Sequence, residues 1–417
     1  MIEEIQKCRV CGNKHLHPII HLGSQYLTGV FPRYKNYGLT QGPLQLVKCH
    51  GDSDHSCGLL QLAHNYDLEE MYGDNYGYRS GLNQSMVNHL QRKVANILKK
   101  YLIVDGDLIV DIGSNDGTTL CAYPRHLNLV GIDPTGNKFR SFYPDHIHLI
   151  QDFFSAQVLT KAYPGQKAKV ITSIAMFYDL IDPIGFVEQV ASVLDPDSGV
   201  WIFEQSYMPL MLERLSYDTI CHEHLEYYGL RQIAWIMDKV GLEILDVEIN
   251  DVNGGSFSVT VAHKTSRYYA DSQKIAKILD NENTKGLSTL EVYSEFADKV
   301  RESKRVLQDF VYQAKSNSKR VVCLGASTKG NVVLQYCEFT ENEIEAIGEV
   351  NTDKYGALTP GTWIPIRSES EVLASDPDYL IVLPWHFRDF FTNHQLFKGR
   401  NLVFPLPVLQ IVTPESK

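Results

Sequence analysis

The fourteen residues YDTICHEHLEYYGL, Tyr217 to Leu230, hold two histidines, two glutamates and three tyrosines. Side chains of these types move protons. Imidazole titrates nearest to neutral pH, so His222 or His224 suits a general base. Glu223, between them, could orient an imidazole or hold a substrate hydroxyl. The two histidines share a face if the segment is extended, but not if it is helical. A helical zinc motif needs its histidines four residues apart, which this segment does not offer. The competing structural reading is a polar helix end between domains. Cys221, just before the cluster, reads as a small apolar filler, with a thiolate as the alternative.

A second cluster suits a metal. CRVC sets Cys8 and Cys11 in one turn, and CHGDSDHSC brings Cys49 and Cys57 after a gap of 37 residues. Four thiolates make a closed tetrahedral zinc site with no open position for catalysis. His50 and His55, inside the wide second loop, are alternative ligands. The stretch HPIIHLGSQYLTGVFP has little core of its own, for which a metal would compensate. Downstream, MYGDNYGYRSGLNQSM reads as a loop. Its Tyr72, Tyr76 and Tyr78 could contact a ligand or pack on a neighbouring domain.

The elements that must position these groups include two similar units. LIVDIGSNDGTTL (Leu108 to Leu120) and RVVCLGASTKGNVVLQ (Arg320 to Gln335) both read as a strand, a glycine turn and the start of a helix. In the first unit Asp133 follows the turn by about twenty residues, which places a carboxylate for a ribose. The run Gly113-Ser114-Asn115-Asp116-Gly117 lacks the dinucleotide spacing. Asp116 would repel a pyrophosphate but not a cationic sulfonium, which favours S-adenosylmethionine over NAD. MVNHLQRKVANILKKY has helical periodicity before this unit, and VITSIAMFYDLIDP and GVWIFEQSY continue it as strands. Alternating strands and helices imply a doubly wound α/β sheet.

The second unit follows the turn and strand NGGSFSVTVAH and a long amphipathic helix, STLEVYSEFADKVRESKRVLQDFVYQAKS. Its turn, Gly325 to Gly330, fits neither a dinucleotide site nor a phosphate loop of the Gly-Lys-Ser/Thr kind. Backbone N–H groups at a helix start still favour an anion, so Ser327 and Lys329 would hold a substrate diphosphate or sugar. Trp385 and His386 stand at the carboxyl end of a later strand, where open α/β sheets place ligands. The first unit would thus hold a donor and the second an acceptor.

The bulk numbers agree with an enzyme of this kind. The chain has 417 residues, 44% hydrophobic and 21% charged, enough for two or three globular domains. A net charge of -11 argues against nonspecific nucleic-acid binding. No apolar run reaches membrane-spanning length, and no basic-then-apolar leader opens the chain. A cytoplasmic protein is expected, with its eight cysteines as thiols or metal ligands.

The ordered set CRVCG, YGYRSG, DIGSNDG, CHEHLEYYG, NGGSF, GASTKGN and PGTWIPI spans nearly the whole chain. It resembles the sugar C-methyltransferases that act on nucleotide-linked ketosugars. The resemblance implies a zinc-binding domain (1–72), a central Rossmann-like methyltransferase domain (73–250) and a C-terminal Rossmann-like domain (251–417) that helps hold the nucleotide-sugar. It assigns the DIGSNDG turn (Asp111, Gly113, Asn115) and Asp133 to S-adenosylmethionine, with Asp152 and Phe153 of LIQDFFS flanking the adenine. It matches Glu223 and His224 to the family's active-site pair and brings Tyr76 and Tyr78 into the same cleft. There are two departures. Cys221 stands where members often have tyrosine. SIAMFYDLIDP lacks the asparagine and histidine of many members, so Tyr178 or Asp179 would substitute toward the substrate.

The resemblance implies methylation of carbon in a nucleotide-diphosphate keto-deoxysugar. That reaction needs a base beside a ketone and donors for the resulting enolate oxygen. Methylation of oxygen or nitrogen is the alternative and needs less acid–base machinery. A nucleotide-sugar binding protein without catalysis is a third reading, and would lack polar groups in the cleft.

Overall fold

The computed structural model describes residues 2–35, 38–51, 56–67, 70–71 and 78–414. Tyr72, Tyr76 and His55 lie outside these residues. Among the described residues three sheets carry the molecule, beside one short strand pair.

The central sheet has seven strands. In spatial order they are Leu242–Asn250, Ser256–His263, Val200–Ser206, Ala168–Ile174, Leu108–Ile112, Asn128–Ile132 and Ile147–Ile150. The last five run parallel, and Ser256–His263 is antiparallel to both of its neighbours. The parallel strands are covered on both faces, so Leu108–Ile112 is buried throughout. The strands Leu108–Ile112 and Ala168–Ile174 are neighbours from which the chain departs to opposite sides. A crevice opens at the carboxyl ends of such a pair.

Helix Gln84–Lys100 packs on this sheet through Met86, Leu90, Val94 and Ile97. The Asn83 side chain caps it by accepting from Ser85 N, and Lys99 and Lys100 face the carbonyl end of its dipole. The helix expected after the first glycine turn is not there. Turns and the short 3-10 segment Leu120–Ala122 take its place. Gly117 holds a left-handed φ of +73°, and Pro124 follows too soon for a second helical turn to form. Because Ser256–His263 belongs to this sheet, the central unit also runs past the expected border at residue 250.

The C-terminal sheet has six strands in the order Ile366–Ser368, Ile347–Glu349, Val321–Leu324, Tyr379–Val382, Leu402–Phe404 and Gln410–Val412. All are parallel except the last. Here the strand–turn–helix expectation holds: Val321–Leu324 leads through Gly325 into helix Thr328–Tyr336. The long amphipathic helix runs from Glu291 to Ser316.

The N-terminal module is an antiparallel sheet of Leu16–Tyr26, Gln41–Cys49 and Leu60–Leu62, completed by Glu226–Tyr227 from the central unit. Among the described residues it has no separate core. Leu22, Leu44, Leu46 and Leu62 share one apolar cluster with Tyr293, Phe296 and Val321. Cys8, Cys49, Cys57 and Leu59 share another with Trp201, Phe177 and Tyr228. The module is therefore a wedge between the two α/β units.

Candidate active site

At the wedge, the sulfurs of Cys8, Cys11, Cys49 and Cys57 all lie within 4.8 Å of one another. The Cys8–Cys57 pair stands at 3.5 Å and the Cys11–Cys49 pair at 3.4 Å. Tetrahedral thiolates about 2.3 Å from zinc would be about 3.8 Å apart, so the quartet fits the ion. Asn13 Nδ2 donates to Cys49 Sγ at 3.4 Å. The buried Lys48 ammonium donates to Gly58 O at 2.7 Å and sets a positive charge near the thiolates. His50 is not needed as a ligand. With four sulfurs present the site is closed, and its zinc is structural.

The crevice of the central sheet is lined by Tyr78, Met86, Leu90, Asp111, Gly113, Asn115, Ile174 and Ala175. Asp111 accepts from Thr172 Oγ1 at 2.5 Å, and burial pushes its carboxyl up to about 7. Asp133 lies beside it. Its Oδ2 accepts from Asn115 N at 2.7 Å, and its Oδ1 accepts from Thr135 N at 2.7 Å. Among the described residues no lysine or arginine forms an ion pair with either carboxylate. Buried carboxylates without a cation fit a cationic ligand such as the ammonium and sulfonium of S-adenosylmethionine, and not a pyrophosphate. Asp133 also shapes the turn it was expected to serve. Asp152 and Phe153 are exposed just past the strand Ile147–Ile150, and Asp152 Oδ1 accepts from Phe153 N at 2.8 Å.

Asp116, expected to discriminate between cofactors by charge, has a further task. Its carboxylate accepts from Gly81 N at 2.9 Å and from Thr118 Oγ1 at 2.6 Å. Ser80 N donates to Asn115 Oδ1 at 3.0 Å, and Asn115 Nδ2 donates to Tyr78 O at 3.1 Å. The glycine turn thereby hangs the Tyr78–Gly81 segment over the cavity. Tyr78 is half exposed, and burial of the rest of its ring pushes the phenol up against its contact with Ser80.

The structure separates the two histidines, because a turn at His222 and Glu223 sends them apart. His222 does not reach the crevice. It is fully buried, its ring meets Tyr66 edge-on at 4.7 Å, and Nε2 faces Gly42 O at 3.5 Å. His222, expected as a candidate base, packs within the wedge. His224 is partly exposed, with its ring 4.3 Å from that of Tyr178. Nδ1 contacts Thr219 O at 2.8 Å. A carbonyl can only accept, so Nδ1 carries the proton and neutral His224 keeps a basic Nε2. Burial, and then the Lys329 charge, outweigh the Thr219 carbonyl and push the imidazole down to about 4. Cys221 is buried and its thiol is pushed up, first by burial, so it is a filler.

Glu223 sits where all three parts meet. Thr28 Oγ1 donates to its Oε2 at 3.5 Å. Burial pushes the Glu223 carboxyl up. Asp179 and Tyr178 lie on the short 3-10 segment Phe177–Asp179, just past the strand Ala168–Ile174, and Leu225 N donates to Tyr178 O at 2.8 Å.

The second glycine unit faces the same region. Ser327 Oγ caps helix Thr328–Tyr336 by accepting from Gly330 N at 3.0 Å. Lys329 Nζ donates to Asn253 O at 2.7 Å. Burial and Lys329 push His386 down to about 3. Trp385 spends its indole N–H on Asp218 Oδ2 at 2.8 Å, so that donor is engaged within the protein. Sequence reasoning missed Asp218. It also missed Glu204, which holds His89 at 2.6 Å and Lys93 at 2.8 Å behind the cavity wall. Glu204 sits in an apolar-looking strand, and its partners come from a helix more than a hundred residues away.

Three family models match in order: a methyltransferase zinc binding domain over residues 8–72, a methyltransferase domain over 86–247 and a C-methyltransferase C-terminal domain over 251–407. The C-methyltransferase NovU of Streptomyces niveus is 28% identical over 426 aligned positions, covering 100% of this chain and 99% of NovU. Solved structures similar to part of the chain include magnesium protoporphyrin IX methyltransferase from Synechocystis PCC 6803 with bound S-adenosylmethionine. It shows 12% identity and a TM-score of 0.31 over 43% of this chain and 79% of that one. Another is an S-adenosylmethionine-dependent methyltransferase from Clostridium acetobutylicum ATCC 824, with 15% identity and a TM-score of 0.32 over 42% of this chain and 90% of that one. With the zinc quartet, the cation-ready crevice and the three matches in one order, the chain is an S-adenosylmethionine-dependent methyltransferase, similar over its whole length to a C-methyltransferase.

Proposed function

We propose that the protein methylates a carbon beside the ketone of a nucleotide-diphosphate keto-deoxysugar, with His224 as the base. The observation that carries this reading is the His224 tautomer. Thr219 O holds the Nδ1 proton, so the imidazole offers Nε2 as an acceptor and stays neutral near pH 7. A neutral base beside a cation suits removal of a proton from carbon next to a ketone, where the cation favours the enolate oxygen. S-adenosylmethionine, when bound, supplies an electrophilic methyl group with its own leaving group.

The chain's residues do the rest. His224 Nε2 takes the proton from the carbon next to the ketone. The Lys329 ammonium, which acts electrostatically on His224, favours the enolate that forms. Glu223, with its carboxyl pushed up, holds a sugar hydroxyl. Asp111 and Asp133 balance the positive charge of the cofactor, and Tyr78 closes over it. Ser327, Lys329 and His386 bind the nucleotide-sugar from the C-terminal unit, with Tyr178 and Asp179 on the opposite wall. Residues near 1–72, 73–250 and 251–417 would divide the labour among zinc, donor and acceptor, although the central sheet borrows its last strand from beyond residue 250.

The test is turnover of labelled S-adenosylmethionine with a panel of 4-keto nucleotide sugars, followed by NMR of the product. A new methyl on carbon next to the former ketone supports the reading. A methyl on oxygen or nitrogen, or no turnover with any ketosugar, overturns it.

A further inference from the structure

We infer that Asp218 is the positioning residue through which the C-terminal unit sets the base, an inference that rests on the His224 assignment above. Asp218 lies in the short 3-10 segment Tyr217–Thr219 and is 1% exposed. Its Oδ2 accepts the Trp385 indole N–H at 2.8 Å, and the backbone N–H groups of Asp218 and Thr219 also favour its charged form. A buried carboxylate spent on an indole of the C-terminal unit ties that unit to the segment that carries Thr219.

The next residue, Thr219, gives its carbonyl to His224 Nδ1 at 2.8 Å. The other side is fixed too. Leu383 N donates to Leu324 O at 3.1 Å. The Pro384 ring lies 2.7 Å from where a Cβ on Gly325 would stand, which locks this strand end against the acceptor-side glycine turn. Contacts therefore run without a break from Gly325 through Pro384 and Trp385 to Asp218, and on through Thr219 to His224. Any displacement of the C-terminal unit is passed to the imidazole. Asp218 acts through His224 and not on the substrate.

The experiment compares Asp218→Ala, Asp218→Asn, Trp385→Phe and His224→Asn in the full-length protein. Steady-state rates are read beside calorimetric affinity for S-adenosylmethionine. Asp218→Ala is expected to lower kcat about 10- to 100-fold, the scale of a small misplacement of a reacting group, with donor affinity unchanged. Asp218→Asn keeps an oxygen for the indole N–H and should recover most of the rate. Trp385→Phe should lower kcat as Asp218→Ala does, and the Asp218→Ala/Trp385→Phe double variant should be no slower than either single one. A normal kcat in Asp218→Ala, or an Asn variant no better than Ala, overturns the inference. If Asp218→Ala does not fold, a normal rate in Trp385→Phe overturns it equally. A normal rate in His224→Asn overturns the base assignment and this inference with it. A slow His224→Asn beside a normal Asp218→Ala removes only the positioning role.

Discussion

At the residue scale, His224 is the group whose environment departs most usefully from its ordinary state. An imidazole in water titrates near 6.5, and here burial followed by Lys329 brings it to about 4. The base form is the neutral one, so it is present above that value and lost as pH falls through it. The acid limb of kcat should lie near pH 4, well below the ordinary histidine value, and Lys329→Met should move it upward. A pH–rate profile under saturating substrates reads both. His224→Asn should keep the fold and both affinities and slow turnover about 10²- to 10⁴-fold, as loss of a general base does. It should also stop solvent deuterium exchange at the carbon beside the ketone. Asp133 acts differently, because it holds the glycine turn through Asn115 N and its own turn through Thr135 N. Asp133→Ala should weaken S-adenosylmethionine by about 1.5–3 kcal/mol by calorimetry, the range for hydrogen bonds to charged groups. Asp133→Asn keeps an acceptor for one of the two N–H groups and should lose less.

At the element scale, the zinc module shows how a segment with little apolar mass of its own becomes ordered. Its leucines are spent on the two α/β units, and the Cys8–Cys57 and Cys11–Cys49 contacts close its loops. Removing zinc should therefore loosen this wedge first and the rest of the molecule afterwards, since binding and folding are coupled at such sites. Metal analysis should give about one zinc per chain. Chelation should expose the Leu16–Tyr26 and Gln41–Cys49 amides to hydrogen exchange before those of Leu108–Ile112. Elements of this kind were legible in the sequence where the signal was local. The helix Gln84–Lys100, the strand Ala168–Ile174 and the turn into helix Thr328–Tyr336 follow from periodicity, glycine and flanking charge. The missing helix after Gly117 was not legible, because the spacing to Pro124 had to outweigh the strand–glycine pattern. The placement of Ser256–His263 was not legible either, since strand pairing is a long-range choice. The His222–His224 cluster showed its chemistry but not its geometry. A turn between the two residues sends His222 against Gly42 and Tyr66, far away in the chain, and His224 against Tyr178.

At the scale of the whole molecule, the three parts converge on Glu223. The N-terminal wedge reaches the C-terminal unit along helix Thr328–Tyr336. Tyr26 N donates to Gln335 Oε1 at 2.8 Å, and Asn331 Nδ2 donates to Thr28 O at 2.7 Å. Thr28 in turn donates through Oγ1 to Glu223 Oε2, and the next residue, Gly29, packs against the same carboxyl. A Cβ built on Gly29 would stand 2.6 Å from Glu223 Oε1 and 3.7 Å from Thr328 Oγ1. The backbone of Gly29 is not left-handed, so alanine is tolerated there except for this contact. Gly29→Ala is therefore a probe of the junction that leaves the cysteine quartet and the cofactor crevice alone. The added methyl must displace the Glu223 carboxyl, the end of a half-buried side chain, from its place beside Thr28. The expected result is a folded protein with a full complement of zinc and unchanged S-adenosylmethionine affinity. Its kcat should fall about 10- to 100-fold, because a displacement of about 1 Å at a positioning group has that cost. Glu223→Gln should resemble it in rate, and adding Gly29→Ala to Glu223→Gln should cost little more, since both act on one carboxyl. Full activity in Gly29→Ala would show that the wedge supports the fold without shaping the site. A loss of zinc in the same variant would move its effect from the junction to the metal.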